Sequence, residues 1–405
     1  MKNGLKTWSI VSCAAIAMAI SGCREPIQSA NVYEPNYLFA EVMKISQETE
    51  MDSALAKRRD AMTEMFGTPS APVIPKALRE APYDELFSDA NLKLAAGDST
   101  AAGLYATQQC ASCHGLTGQG RGAVAASQNP YPRDFRPGWF KFKTSSRSAK
   151  PLKSDLVRIL RKGLSGTQMP IFDKLSDAES NALVDYVVFL SIRGEFERTM
   201  LQDAAMENGG DEEELLTAIA DRWVEAKDST EEFELPSFPV VGSETPDTAN
   251  QLAESIQKGK ELFAGPVAAC SQCHGEGGNG VGTKLPDYDD WTKEWTAKIS
   301  LNPDNLDEIA PLMALGGMKP QHLKPRSIVE GHLRGGRKPI DIYRRIRYGI
   351  AGTPMPAASL AASREETGLQ PEDLWHLVNY VLSIAQVPPP TVPSTPAGDS
   401  VASSP

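Results

Sequence analysis

The residues of this sequence best suited to chemistry are four cysteines and two histidines, which form the pattern Cys-x-x-Cys-His twice. The two copies comprise Cys110, Cys113 and His114, and Cys270, Cys273 and His274. Two thiols three positions apart on one helical turn can reach the two vinyl groups of a porphyrin, and the imidazole that follows can meet its iron. This spacing is typical of c-type haem attachment. We therefore predict two covalently bound haem c groups, each with a proximal histidine.

A structural zinc site and a thioredoxin-like dithiol are the competing interpretations of each motif. Zinc would require further Cys or His ligands nearby, and the remaining histidines, His322, His332 and His376, form no cluster with either motif. A redox dithiol has no use for a histidine directly after it, twice. The other two cysteines, Cys13 and Cys23, lie near the N-terminus, so none is left for a disulfide. The spacing favours haem.

An internal repeat offers a second ligand for each iron. Residues 155–170 and 341–356 are identical at eight of 16 positions, and both segments end in Gly-Thr-x-Met-Pro. A thioether is a soft donor that favours ferrous iron and raises its potential. One methionine beside a proline usually fills a gap in a core. Two at matching places, each after a Cys-x-x-Cys-His, indicate axial ligands, and we assign these roles to Met169 and Met355. Met313 and Met318 lack the matching context.

On these motifs, each half of the chain resembles a class I cytochrome c domain, and the whole resembles a membrane-anchored di-haem cytochrome c. The resemblance covers residues 91–193 and 251–387, named module 1 and module 2 below. It implies an all-α fold in which a helix before the haem-binding sequence crosses another after the methionine loop, near a small residue and aromatic side chains. It also implies that a proline carbonyl holds each proximal imidazole, for which the candidates are Pro130 or Pro132, and Pro286.

Helix signals follow both methionine loops. Ser176 and Glu179 form a capping box that predicts a helix running to about Arg193. Pro371 stands where the first turn of a helix tolerates proline. A single apolar stripe follows it, made of Leu374, Leu377, Val378, Val381 and Leu382. Such stripes pack into a core, so both helices are expected to be structural.

The N-terminal segment carries an export signal. Lys2 and Lys6 precede an apolar run of 13 residues from Trp8 to Ile20, too short to span a bilayer comfortably. Ile20-Ser-Gly-Cys23 resembles the lipobox of bacterial lipoproteins, which implies that residues 1–22 are removed and that Cys23 is lipidated. Two or three acyl chains would anchor the protein durably at the periplasmic face of a bacterial membrane. The alternatives are an ordinary cleaved signal peptide and an uncleaved anchor.

Three further segments lie outside the two modules. Residues 23–90 form an extension with a helix predicted from about Leu38 to Phe66, serving as a spacer or as a brace on module 1. Residues 194–250 form an acidic linker whose segment 211–227 predicts a solvated helix. Residues 388–405 hold six prolines and are expected to be disordered.

Module 2 is longer than module 1 because of an insert. Cys110 and Met169 are 59 positions apart, whereas Cys270 and Met355 are 85 apart, and the excess lies between about 284 and 319. Trp291 and Trp295 of this insert could form a docking surface. Filling the groove beside the haem is the favoured interpretation.

Charge excludes several classes of protein. The net charge is −11, and no stretch of 18 apolar residues occurs, which argues against a nucleic-acid binder and a polytopic membrane protein. Charge is also uneven: residues 121–162 carry +9, residues 319–347 carry +7, and residues 194–236 carry −11. The basic segments could dock an acidic redox partner or neutralise haem propionates, and both interpretations stay open.

Two coordinatively filled irons predict an electron carrier. The expected role is transfer of single electrons in a respiratory chain, as a membrane-tethered carrier or as a subunit of a quinol-oxidising or terminal oxidase complex, with redox proteins as partners. The alternative is a di-haem enzyme such as a cytochrome c peroxidase, which needs one iron with an open distal position. The duplicated methionine loop argues against that enzyme. A haem-based sensor or a structural partner is less favoured, because a gas would have to displace sulfur.

Overall fold

The computed structural model describes residues 32–98, 100–283, 287–361 and 367–386. Within these ranges the chain forms fourteen α-helices: α1 (Tyr37–Gln47), α2 (Asp52–Phe66), α3 (Asp89–Ala96), α4 (Leu104–Thr107), α5 (Cys110–His114), α6 (Lys153–Lys162), α7 (Asp177–Ala205), α8 (Glu212–Val224), α9 (Ala249–Ala264), α10 (Ser271–His274), α11 (Asp290–Thr296), α12 (Leu306–Ala314), α13 (Pro339–Tyr348) and α14 (Pro371–Ile384). Short 3-10 helices span Lys76–Leu78, Tyr83–Glu85, Ala125–Ser127, Glu225–Ser229, Pro246–Thr248 and Ala297–Ile299. Two antiparallel pairs of two-residue strands join β1 (Gly67–Thr68) to β2 (Ala71–Pro72), and β3 (Asp287–Tyr288) to β4 (His322–Leu323). The all-α prediction is confirmed.

Several sequence predictions concern residues outside these ranges. They are the signal segment with Cys23, the candidate Pro286 and the C-terminal tail. Across the part of the chain that the structure describes, no helix is both long enough and apolar enough to cross a bilayer.

Helix α7 is the longest helix of module 1 and contributes many of its buried residues. Its capping box forms as predicted, because the Ser176 hydroxyl accepts the N–H of Glu179 and the Glu179 carboxylate accepts the N–H of Ser176. The helix runs to Ala205, twelve residues beyond the predicted end. The reason is that buried apolar residues, including Met200 and Leu201, continue along it and pack beneath the N-terminal extension.

The extension braces module 1. The single helix predicted from Leu38 to Phe66 is wrong, because Glu48 adopts a left-handed conformation with φ of 51° and separates α1 from α2. Phe66 at the end of α2 packs against two aromatic residues of α7, with ring centroids 5.8 Å from Phe189 and 5.9 Å from Phe196. This segment and module 1 therefore share one apolar core.

The acidic linker contributes to the same core. The prediction of a solvated helix is wrong for one face of α8, where Leu216, Ile219 and Trp223 are buried. The ring of Trp223 packs edge-on against Phe140, with centroids 5.8 Å apart. The carboxylates that dominate this segment lie on the outer face of α8. The helix is therefore amphipathic, although its many acidic residues suggested a solvated one.

Each module contains the crossed helices that the resemblance implies. In module 2, α9 crosses α14 at Gly259, where an added Cβ would lie 2.0 Å from the carbonyl oxygen of His376. The rings of Phe263 and Tyr380 meet edge-on beside this crossing, with centroids 5.2 Å apart. In module 1 the corresponding pair, Tyr105 and Tyr186, has the same separation of 5.2 Å. The repeated sequence thus folds into a repeated core contact.

The insert of module 2 lies against module 1 and the extension. Trp295 is buried in a cluster with Leu38, Val42, Ile309 and Leu312. Trp291 donates from its indole nitrogen to the carbonyl oxygen of Pro132, at 3.4 Å. Both tryptophans therefore join the insert to module 1 and the extension, and their predicted place beside a haem stays a prediction.

Candidate functional site

The first Cys-x-x-Cys-His motif forms the one-turn helix α5. The Nδ1 atom of His114 lies 2.9 Å from the carbonyl oxygen of Arg133, and its ring stacks on Phe135 with centroids 4.7 Å apart. Burial lowers the pKa of His114 below the usual value, which favours a neutral imidazole. With the proton on Nδ1 and shared with a carbonyl, Nε2 presents a lone pair for a metal.

The second motif repeats this arrangement. The Nδ1 atom of His274 lies 2.9 Å from the carbonyl oxygen of Arg326, and burial lowers the pKa of this imidazole as well. The N–H of Phe135 binds the carbonyl of Gly118 in module 1, and the N–H of Ile328 binds that of Gly278 in module 2. In both modules a main-chain carbonyl holds Nδ1 of the imidazole, which leaves Nε2 available to bind a metal.

The carbonyl that accepts from each imidazole is not that of a proline. In each module the acceptor belongs to an arginine that directly follows a proline, in the pairs Pro132-Arg133 and Pro325-Arg326. A proline restricts its own backbone and that of the preceding residue, and so helps to aim the next carbonyl. Pro132 is one residue away from the acceptor, whereas Pro130 is three residues away and Pro286 is forty. The repeated Pro-Arg pair was the signal that could have identified the acceptors.

The four motif cysteines carry free thiols and are half-buried. Burial raises the pKa of Cys110 to about 12 and that of Cys270 to about 11. A reactive redox dithiol needs a thiol whose pKa is lowered instead. Among the described residues, no group of three His, Cys, Asp or Glu side chains is arranged to hold a metal ion. The geometry fits thioether attachment to a porphyrin better than a dithiol or a zinc site.

The two methionine loops have the same hydrogen bonds. In module 1 the N–H of Met169 donates to the hydroxyl of Thr167 at 3.1 Å, and its carbonyl accepts the N–H of Leu164 at 3.2 Å. In module 2 the N–H of Met355 donates to Thr353 at 3.2 Å, and its carbonyl accepts the N–H of Ile350 at 3.2 Å. The threonine of the Gly-Thr-x-Met-Pro pattern thus closes each loop.

Glycines allow both loops to turn. Gly166 and Gly352 have φ of 68° and 69°, a backbone conformation that is energetically unfavourable for a residue with a side chain.

The candidate ligands lie at the edges of the two cores. Met169 and Cys110 pack against the core of module 1, and Cys270 packs against that of module 2. Met355 is half-buried, in the loop that module 1 contacts.

Positive charge is concentrated where the two modules meet. Arg158 of α6 donates to the carbonyl of Gly335, and Arg345 of α13 donates to the carbonyls of Arg334 and Gly336. Burial is the largest cause that lowers the pKa of Arg345 to about 10. A small cavity beside it is lined by Lys141, Lys143, Ser145, Arg147, Arg344, Arg345, Tyr348, Gly349 and Ala351, without a carboxylate. Desolvated cations favour an anionic ligand, and haem propionates are such anions.

Two family models match the segments that contain the paired motifs. Residues 96–187 match the family model of cytochrome c oxidase, cbb3-type, subunit III, and residues 256–385 match that of cytochrome c. A solved chain from the reducing HAO-like protein complex of Kuenenia stuttgartiensis is similar at 25% identity and a TM-score of 0.42. That alignment covers 70% of this chain and 94% of the other. No curated protein matches significantly.

Proposed function

We propose that this chain, which is a di-haem cytochrome c with two covalently bound haem c groups, relays single electrons between redox proteins of a respiratory chain. When bound, each haem iron supplies one-electron redox chemistry. The observation that carries the proposal is the duplicated site, in which both modules have the same histidine support and the same methionine loop. Two filled irons suit a relay and leave no position for a substrate.

Each protein group has a defined task in this proposal. The motif cysteines, Cys110 and Cys113 in module 1 and Cys270 and Cys273 in module 2, tether the porphyrins. His114 and His274 are held by main-chain carbonyls at Nδ1, so that Nε2 would be available to bind the iron. Met169 and Met355 would supply sulfur as the second ligand of each iron. Partial burial of these groups would limit the access of water to the irons and so help to tune their potentials.

The cations between the modules are proposed to hold haem propionates. Arg158 donates across the junction of the modules to the Gly335 carbonyl, and Lys143 and Arg345 line the small cavity there. This location favours the propionate interpretation over docking of an acidic partner. Buried guanidinium groups also raise the potential of a nearby haem, because they disfavour the extra positive charge of ferric iron.

Membrane attachment is part of the same proposal. Lipidation of Cys23 would place the carrier at the periplasmic face of a bacterial membrane, where it could serve freely or as a subunit of a larger complex. The match of module 1 to an oxidase subunit supports a place beside a terminal oxidase. A quinol-oxidising complex is the corresponding electron donor.

The competing enzyme function is tested by adding peroxide and cyanide to the haem-loaded protein. A relay should bind no cyanide at either haem and should reduce peroxide no faster than other six-coordinate cytochromes. The variant Met169→Ala, which opens one coordination position, is the positive control and should bind cyanide. Peroxide turnover by the unaltered protein would overturn the relay and support a cytochrome c peroxidase.

A further inference from the structure

The methionine loops are bound by residues of the opposite module. Arg147 of module 1 donates from Nη1 to the carbonyl of Met355 at 2.7 Å and from Nη2 to the carbonyl of Thr353 at 3.0 Å. Arg334 of module 2 donates to the carbonyl of Gly166 at 2.6 Å. A guanidinium that binds two carbonyls at once fixes a loop in position as well as direction.

The supports of the proximal histidines lie against the same loops. In the loop of module 1, Ser165 lies 2.7 Å from Nδ1 of His332, and an added Cβ on Gly166 would lie 3.3 Å from the guanidinium of Arg326. The Arg326 carbonyl is the acceptor for His274. The distal loop of one module therefore touches the proximal support of the other.

The reverse contact runs through an aspartate of the insert. An added Cβ on Gly352, in the loop of module 2, would lie 2.8 Å from Oδ2 of Asp290. Asp290 accepts from the Arg133 guanidinium at 2.5 Å, and the Arg133 carbonyl is the acceptor for His114. The loop of module 1 thus meets the proximal support of module 2 directly, whereas the loop of module 2 is linked to Arg133 of module 1 through an aspartate of its own module.

We propose that Arg147 and Arg334 are positioning residues, through which each module holds the methionine loop of the other and slows the departure of sulfur from iron. The inference rests on the assignment of Met169 and Met355 as axial ligands. Arg147 binds the main chain of Met355 itself, so its loss should affect that ligand directly. Arg334 makes one such bond, three residues before Met169, and its loss should have a smaller effect.

The test measures how fast imidazole displaces each methionine in the full-length, haem-loaded protein. The weak far-red band of a Met-ligated ferric haem reports the bond. A Met169→Ala background leaves the band of module 2, and a Met355→Ala background leaves that of module 1. Arg147→Gln should speed displacement of Met355 about tenfold, as loss of two hydrogen bonds allows, and Arg334→Gln should speed displacement of Met169 a few-fold.

Matched variants separate this role from a general loss of charge. Arg347→Gln removes a cation of α13 that pairs with Glu231. Arg337→Gln removes a guanidinium that donates to the carbonyls of Gly331 and Ala385 within module 2. Both should leave displacement rates unchanged. Arg147→Lys, which keeps the charge and loses the paired geometry, should lie between the native protein and Arg147→Gln.

The outcomes are distinguishable. Absence of the far-red band in the native protein would overturn the ligand assignment, and with it this proposal and the relay. A native band together with displacement rates in Arg147→Gln and Arg334→Gln equal to those of the matched variants would overturn the positioning role alone. Equal acceleration at both haems by either variant would show that the arginines merely join the modules, and would also overturn it.

Discussion

The carbonyl oxygen of Arg326 lies 2.9 Å from Nδ1 of His274, although 52 positions of sequence separate the two residues. In module 1 the same distance joins Arg133 to His114 over 19 positions. The chain between histidine and acceptor differs greatly in length, yet the contact is unchanged. Its chemistry explains why, since the hydrogen bond fixes the tautomer and orientation that leave Nε2 free for iron.

Replacing Met355 by Ala should lower the potential of the module 2 haem alone. Loss of the soft sulfur removes a ligand that favours ferrous iron, and we expect a decrease on the order of 0.1 V, within the roughly 0.8 V range that axial ligands span. Capture of the iron by another ligand would lower the potential as well. Spectroelectrochemical titration measures both haems in one experiment. An unchanged potential would contradict the assignment of Met355.

Acid should destabilise the junction of the modules through Asp290. Burial alone would raise the pKa of this carboxyl group, but Arg133 and Lys141 lower it to about 2. Because the folded-state pKa is below the unfolded value of 3.8, the group stabilises the fold above about pH 4 and loses this contribution as the pH falls towards 2. The shift corresponds to about 2 kcal/mol.

The variant Asp290→Asn tests this pH dependence. Its free energy of unfolding should be lower than that of the native protein at pH 7 and should fall less steeply between pH 4 and pH 2. Asp177→Asn is the control, since Asp177 is exposed and pairs with Arg161 on the surface. Urea unfolding at several pH values supplies the data. Parallel curves for the native protein and Asp290→Asn would refute the prediction.

Truncation of Trp295 should loosen the contact between the insert and the N-terminal extension. Its side chain is 2% exposed and packs on Leu38 and Val42 of α1. Trp295→Ala should lower the free energy of unfolding by about 3–5 kcal/mol, the usual cost of emptying such a site. Trp139 is 47% exposed, so Trp139→Ala should cost far less. Equal unfolding midpoints for the two variants would disprove the bracing role.

Lipidation predicts that Cys23→Ser moves the protein from the membrane fraction to the soluble fraction. One residue would carry the acyl chains, and no other anchor is proposed. Cys13→Ser, a change within the removed segment, should leave the protein on the membrane. Fractionation of cells that produce each variant measures the distribution. Retention of Cys23→Ser on membranes would contradict the lipobox interpretation.

The repeated motifs of the candidate site could be recognised because each of them is local in sequence. A Cys-x-x-Cys-His turn and a Gly-Thr-x-Met-Pro loop each fold through hydrogen bonds within a few residues, as the bond between Met169 and Thr167 shows. The helices that flank them carry visible signals, such as the Ser176 capping box. Local determinants of this kind can be recognised in a single sequence.

The remaining features depend on contacts between distant residues, which residue types alone do not predict. Any residue can supply a carbonyl, so the only sequence signal for Arg133 and Arg326 as acceptors is the proline that precedes each of them. The break at Glu48 occurs without glycine or proline, and the helices on either side of it each pack against α7. In α8 the spacing of Leu216, Ile219 and Trp223 was visible, but the surrounding acids suggested a solvated helix. Contacts between modules, such as Arg147 with Met355, require the structure.

The most direct test of the relay is an optical redox titration of the haem-loaded protein, with the far-red band recorded at each step and the titration repeated in cyanide. The account predicts two haems at positive potentials, both with the band of methionine ligation and both indifferent to cyanide. A haem that lacks the band, titrates at a far lower potential and binds cyanide would contradict it. That result would identify an open iron, and the methionine assignment in that module would be wrong.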